Sequence, residues 1–152
     1  MRTTLALIVL ALGASALWGA EAKPQAWDFE DADVGKLPPG WTAAKTGKGD
    51  GSVWKIVDDK TAPGGAHVLA QVAKGPGPLF NLCVADDAKL QDLEFSIAFK
   101  AVDGKVDQGG GVVWRYLDAS NYYIARFNPL RTTFVSTKSW TGSGCNWRPR
   151  KV

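Results

Sequence analysis

One stretch of strict two-residue alternation constrains the fold of this chain more than any other feature. Residues 92–102 read DLEFSIAFKAV, in which apolar and polar side chains alternate. The apolar set is Leu93, Phe95, Ile97, Phe99 and Ala101, and the polar set is Glu94, Ser96 and Lys100. Successive side chains of a β-strand point to opposite faces, so this period is typical of a half-buried strand. The pattern predicts a strand over residues 92–102.

Short strand-like runs separated by turn residues make up most of the remaining chain. We predict one strand that begins near Trp27. Further strands are predicted at residues 53–57, 67–73, 79–84, 111–117 and 122–128. Turns are expected at Pro38-Pro39-Gly40, at Pro63-Gly64-Gly65 and at residues 118–121, because these residues favour turns. No helix-period run follows residue 22. The predicted fold class is all-β, a two-sheet sandwich or jelly roll.

The N-terminus has the pattern of a secretory signal peptide. Arg2 precedes an apolar run over residues 5–17, and small residues flank Glu21 in Ala20-Glu21-Ala22. A membrane anchor is the alternative, but a spanning helix needs about 20 apolar residues, more than this run provides. We therefore expect residues 1–22 to be cleaved, leaving a secreted or periplasmic domain that is not held in the membrane.

The basic charge of the chain comes from its C-terminal segment. The formal net charge is +3, yet residues 131–152 contain five cations and no acid. Residues 23–130 contain 12 Lys and Arg against 14 Asp and Glu, a net charge of −2. A nucleic-acid partner is therefore not expected, because such partners need a basic binding surface. Cys83 and Cys145 could form a disulfide after export, although Cys83 is better interpreted as a small core residue.

Residues 131–152 depart from the pattern of the preceding domain. They contain seven Ser and Thr and show no sustained alternation. A shifted reading frame can encode a strand, an Asp-Gly turn and a second strand here. Our hypothesis is a nucleotide lost near the Leu130 codon, which resequencing would test; a genuine basic tail is the alternative. Residues 23–130 would then be the N-terminal part of an incomplete sandwich, prone to aggregation because its edges are unpaired.

Several short motifs, in order, resemble those of one exported bacterial family. They are WDFED at 27–31, LPPGW at 37–41, SVWK at 52–55, LFNL at 79–82, QGGG at 108–111, WRY at 114–116 and NYYIAR at 121–126. The family is that of 3-keto-disaccharide-hydrolase-like domains, also described as family 16 glycoside-hydrolase-like. The resemblance covers roughly residues 27–130. It implies a concanavalin-A-like, laminin-G-like jelly roll that hydrolyses or binds glycosides.

A candidate carbohydrate-binding face lies on the last predicted strands. Sugars offer an apolar face for aromatic stacking and hydroxyl groups for hydrogen bonds, which aromatic, amide and guanidinium groups can match. Within the strands, alternation predicts that Trp114 and Tyr116 share one face and Arg115 the other. The alternative is a core role for Trp114 and one tyrosine. The candidate ligand-binding residues are Asp107, Gln108, Trp114, Arg115, Tyr123, Arg126 and Asn128.

Catalytic and metal-binding patterns are weak in this sequence. Glycosidases need two facing carboxyl groups, and no such pair is identifiable; Asp92 and Glu94 alternate but fit a solvated strand face. His67 is best interpreted as a strand residue. Glu30 and Asp31 could bind calcium, although solvated acids are the simpler interpretation. The catalytic residues are thus unknown and no cofactor is required. A non-catalytic glycan-binding or adhesion module and a purely structural module are the alternatives to glycoside hydrolysis.

Overall fold

Seven antiparallel strands form the folded part of the chain. The computed structural model describes residues 24–75, 79–90, 93–105 and 107–130, and the backbone of 133–139. The strands are β1 (Trp41–Thr46), β2 (Trp54–Asp58), β3 (His67–Gln71), β4 (Phe80–Ala85), β5 (Gly110–Asp118), β6 (Asn121–Asn128) and β7 (Thr133–Ser139). No helix occurs within these ranges, so the fold is all-β as predicted. The signal peptide predicted at residues 1–22 lies outside them.

The strands pair in three small sheets. β1 pairs with β4, with Ala43 opposite Cys83, and β2 pairs with β3, with Ile56 opposite Leu69. The third sheet has the order β5-β6-β7. Strand β1 was not predicted, because WTAAKT lacks a regular apolar alternation. The strand expected near Trp27 does not form: residues 27–29 lie outside every strand, although the Trp27 ring packs edge-on against Trp41 at 5.6 Å.

Residues 93–102 belong to no strand in the described part of the chain, so the prediction for 92–102 is wrong on this point. The apolar side chains of this segment nevertheless point towards the β5-β6 sheet, as the alternation in the sequence predicts. The Phe95 ring lies 5.6 Å from Trp114, and the Phe99 ring covers Gly110, where a methyl group would overlap it. Lys100 instead turns to the carboxylate of Asp59, 2.8 Å away. Side-chain patterning fixes which face is apolar, but a strand also needs a neighbouring backbone to bond, and none is in register here.

A small core lies around β2, β4 and β6. Its buried apolar residues are Ile56, Leu79, Leu82 and Tyr122. Ile56 is completely buried, and its backbone N–H and C=O bond to Lys36 and Gly35, each at 2.8 Å. The hydroxyl groups of Thr46 and Tyr122 lie 2.8 Å apart and join β1 to β6. These contacts hold the β5-β6 hairpin beside the β1-β4 pair.

Strand β7 falls in the segment predicted to be out of frame. Its backbone pairs with β6 from Asn128 opposite Thr133 to Tyr122 opposite Ser139. The sequence did not predict a strand at this position. The remainder of the predicted tail, from residue 140 onward, lies outside the described residues.

Candidate functional site

The β5-β6 hairpin carries most of the candidate binding residues. Its turn is closed by the carboxylate of Asp118, which accepts bonds from the Ser120 N–H at 2.7 Å and from the Asn121 amide at 2.8 and 2.9 Å. The Asn121 bonds, followed by the Ser120 bond, lower the pKa of Asp118. An ionised carboxylate at this turn is therefore favoured, because bonds from N–H groups stabilise the charged form.

A bulge in β5 rearranges the aromatic side chains. Pairing with β6 is regular up to Trp114 opposite Tyr123, and the register then shifts before Asp118 meets Asn121. Arg115, inside the shift, has a φ of 49°. Left-handed backbone at one residue of a strand is typical of a bulge and breaks the alternation of faces. The bulge therefore decides where the side chains after Trp114 point.

Two aromatic stacks lie on opposite faces of the hairpin as a result. Trp114 stacks on Tyr123 with ring centres 5.7 Å apart, and Tyr116 stacks on Tyr122 with centres 6.1 Å apart. Tyr122 and Tyr123 are consecutive in β6, so they point to opposite faces. The prediction that Trp114 and Tyr116 share a face is therefore wrong. Its physical reason is the bulge after Trp114, where β5 has two residues more than β6, and sequence alternation alone does not reveal this bulge.

Three of the predicted residues form a bonded group that we call the Asp107 cluster: Asp107, Arg126 and Asn128. Arg126 donates from Nη2 to Asp107 Oδ2 at 2.9 Å, and the Asn128 amide donates to Oδ1 at 2.7 Å. The Asn128 side chain is buried, whereas Arg126 and Asp107 keep 22% and 32% of their side-chain surface exposed. The cluster is thus anchored on its inner side and open to solvent on its outer side.

Phe80 completes this cluster and was not predicted. The Arg126 guanidinium lies 5.2 Å from the centre of the Phe80 ring, and Phe80 is 38% exposed. A cation over an aromatic face is a favourable arrangement that also orients the guanidinium. Phe80 and Leu82 belong to the same apolar run in the sequence, but in β4 Leu82 is buried and Phe80 is partly exposed.

The remaining predicted residues lie apart from the Asp107 cluster. Gln108 follows Asp107 in the sequence, but its side-chain amide donates to the backbone oxygen of Gly104 at 2.9 Å. Arg115 is exposed at the bulge. Tyr123 and Arg126 differ by an odd number of residues in β6, so the Trp114–Tyr123 stack occupies the opposite face of the sheet from Arg126. The predicted set therefore divides into two groups on two faces.

An apolar groove lies on the Trp114 side of the hairpin. It encloses about 360 Å³ between residues 95–99 and the β5-β6 sheet. Phe95, Ile97, Phe99 and Phe127 contribute to its walls. Ser96 and Arg126 also line this groove, so Arg126 contributes both to it and to the Asp107 cluster.

Glu30, one of the two acids considered for calcium binding, has other partners. Glu30 Oε1 accepts the backbone N–H groups of Ala66 and His67, at 2.9 and 2.8 Å, and so closes the start of β3. Calcium takes about six to eight oxygen ligands. Within the described ranges, no group of three or more His, Cys, Asp or Glu residues could hold a metal ion. The surroundings of Glu30 and Asp31 therefore do not fit a calcium site.

Three described carboxyl groups lack the pKa of a catalytic acid. A glycosidase acid needs a raised pKa to remain protonated at neutral pH. The pKa values of Asp33, Asp59 and Asp118 are instead lowered, so these three groups do not have this property. For Asp59 the main cause is the bond from Lys100, followed by bonds from Thr61. His67 Nε2 lies 3.4 Å from Asp58, as part of β3 rather than of a nucleophile–base pair.

We predict that Cys83 reacts slowly with thiol reagents. Burial, followed by the charge of Asp86, raises its pKa from an ordinary 9.0 to about 11. Two pKa units leave about a hundredfold less thiolate at pH 8, and thiolate is the reactive form. Alkylation of a Cys145→Ser variant, measured in native buffer and in urea, should therefore accelerate by about that factor on unfolding. Equal rates in the two conditions would contradict the raised pKa of the half-buried Cys83 thiol.

The direction of this shift also determines a pH effect. Because the folded state holds the thiol proton more tightly than the unfolded state, the stability that Cys83 contributes is complete below about pH 9 and is lost as the pH rises towards 11.

The described chain contains no helix long and apolar enough to cross a membrane. Comparisons with protein-family models, with curated proteins and with solved structures gave no significant match.

Proposed function

We propose that this chain is an exported glycan-binding domain with a concanavalin-A-like jelly-roll fold, related to the 3-keto-disaccharide-hydrolase-like family. Export rests on the signal-peptide pattern of residues 1–22, and the family on the ordered motifs between residues 27 and 130. The all-β architecture is consistent with this fold class. The single observation that supports sugar binding best is the Asp107 cluster beside the exposed ring of Phe80.

The chemistry of this cluster suits a sugar ring. The exposed part of Phe80 supplies an apolar surface for the C–H face of a pyranose. Arg126 is planar and carries five N–H donors, of which one bond to Asp107 is established. Asn128 and Asp107 fix the guanidinium from the buried side, so little side-chain freedom is lost on binding. Such a preorganised group would bind hydroxyl groups without requiring a catalytic acid.

The test compares three aromatic substitutions in the full chain. Binding of a disaccharide panel, including 3-keto-disaccharides, would be measured by calorimetry. Phe80→Ala should weaken binding about three- to tenfold, in line with the contribution of one aromatic contact. Phe127→Ala is the matched control, because Phe127 is 37% exposed but follows Arg126 in β6 and faces away from it. It should bind as the unchanged chain does.

The other outcomes distinguish the alternatives. Weakening by Trp114→Ala but not by Phe80→Ala would place the sugar on the opposite sheet face. Absence of binding to every glycoside would favour a structural module. Turnover of a 3-keto-disaccharide would show that the domain is a hydrolase, and single carboxylate substitutions would then identify its acid.

A further inference from the structure

Residues 93–101, which we call the unpaired segment, have the sequence of a strand but make no ladder with any strand that the structure describes. In the described part of the chain they belong to no sheet. Phe95, Ile97 and Phe99 pack towards β5 and β6, yet their exposed fractions are 47%, 54% and 41%. Backbone groups without partners, together with half-exposed aromatic side chains, are the features through which strands recruit another chain.

The unpaired segment is complementary to itself when it is reversed about Ile97. In an antiparallel pair centred on that residue, Phe95 of one copy lies opposite Phe99 of the other. The same register places Glu94 opposite Lys100, and Leu93 opposite Ala101. Opposite-charge pairs and aromatic pairs across strands are each favourable. A two-fold axis through Ile97 would repeat every pair, so each contact is made twice.

We propose that two copies of this chain associate through the unpaired segment, as an antiparallel strand pair with Ile97 on the two-fold axis. This strand pair extends the apolar layer over β5 and β6. It also gives the backbone of each unpaired segment a neighbouring strand, which it lacks in the described part of the chain. A parallel in-register stack is disfavoured, because it places Glu94 on Glu94 and Lys100 on Lys100. This inference does not depend on glycan binding.

The contact is small, so the association should be weak. A standard stable interface buries about 1,200 Å² or more, which exceeds what one short strand pair provides. Lys100 also bonds to Asp59 and Thr61 within its own chain, at 2.8 and 2.7 Å. An ammonium group has three donors, so it can keep such a bond and still face Glu94 of the second copy. We expect a dissociation constant on the order of micromolar or weaker.

Charge reversal tests the register directly. Sedimentation of the full chain over a range of concentrations should show a dimer. Glu94→Lys and Lys100→Glu should each raise the dissociation constant by about tenfold or more, since each places like charges opposite each other twice. The double variant restores both pairs and should restore the dimer. Asp59→Asn is the control: it removes the negative charge that Lys100 contacts within its own chain, and it should leave dimerisation intact.

A monomer at every concentration would overturn the proposal. It would also be overturned if the single charge reversals associated like the unchanged chain, or if the double variant stayed monomeric.

Cross-linking supplies a second readout that does not depend on charge. In a background with Cys83→Ala and Cys145→Ser, Ile97→Cys should oxidise rapidly to a disulfide-linked dimer. Paired Cα atoms in antiparallel strands lie about 4.5–5.5 Å apart, which suits a disulfide. Ser96→Cys is the matched control, because its own copy lies two residues away along the partner strand, and it should cross-link far more slowly. Equal rates at both positions would indicate a parallel stack and overturn the antiparallel dimer.

Discussion

Replacing Ile56 with alanine is expected to lower the free energy of unfolding by about 2–5 kcal/mol, the usual range for removing a buried isoleucine side chain. Ile56 is the most enclosed apolar residue among those described, with no exposed surface. Its position in β2 is fixed from both sides: Leu69 lies opposite it in β3, and Lys36 and Gly35 bond its backbone. The surroundings cannot collapse easily into the resulting cavity, because these backbone bonds hold them apart.

The measurement is urea denaturation followed by tryptophan fluorescence at one fixed protein concentration. Ile56→Val removes a single methyl group and should cost about 0.5–1.5 kcal/mol. Val53→Ala is the control, because Val53 precedes β2 and is 52% exposed, and its change should stay within about 0.5 kcal/mol. If Ile56→Ala and Val53→Ala unfolded at the same urea concentration, the core would not be centred on β2.

Replacing Asp107 with alanine should destabilise the hairpin region by about 2 kcal/mol. The change leaves the buried Asn128 amide without its acceptor, and a buried unsatisfied donor costs about 1–3 kcal/mol. It also leaves Arg126 without the carboxylate that it contacts at 2.9 Å. Because Arg126 keeps part of its surface in water, we expect less than the about 3–5 kcal/mol lost when a fully buried pair is broken.

Asp33→Ala is the matched control for this substitution. Asp33 also makes a 2.9 Å ion pair, with Lys36, but both side chains are 74% exposed. Exposed ion pairs contribute little, so no measurable change in the urea midpoint is expected. A midpoint for Asp107→Ala no lower than that for Asp33→Ala would show that the Asp107 cluster does not support the fold. Glycan binding should fall in Asp107→Ala as well, because Arg126 loses its orientation.

Sequence patterning predicted the local structure of the hairpin well. The runs at residues 111–117 and 122–128 became β5 and β6, and the turn between them is closed by Asp118 and Asn121. The two strands and the turn all depend on short-range effects. Strand-forming residues flank the turn, and side chains of the turn bond the neighbouring backbone. Asp107, Arg126 and Asn128 were predicted as ligand-binding residues, and the structure joins them by bonds that their spacing in the sequence did not predict.

The Arg115 bulge shows a limit of this reasoning. Strict alternation assigns Trp114 and Tyr116 to one face, but a single residue with positive φ moves Tyr116 onto Tyr122. Arginine carries no local signal for left-handed backbone, unlike glycine or asparagine. The conformation arises because the pairing at Trp114 and the pairing at Asp118 differ in register by two residues.

The sequence by itself determined the all-β class and which side chains of residues 93–101 are apolar. Both follow from the period of two, which is a property of each strand alone. The tertiary structure decided whether those residues had a ladder partner, which face of the hairpin each aromatic ring occupies, and that Phe80 stands beside Arg126. These depend on contacts between residues far apart in the chain, whose register no local pattern specifies.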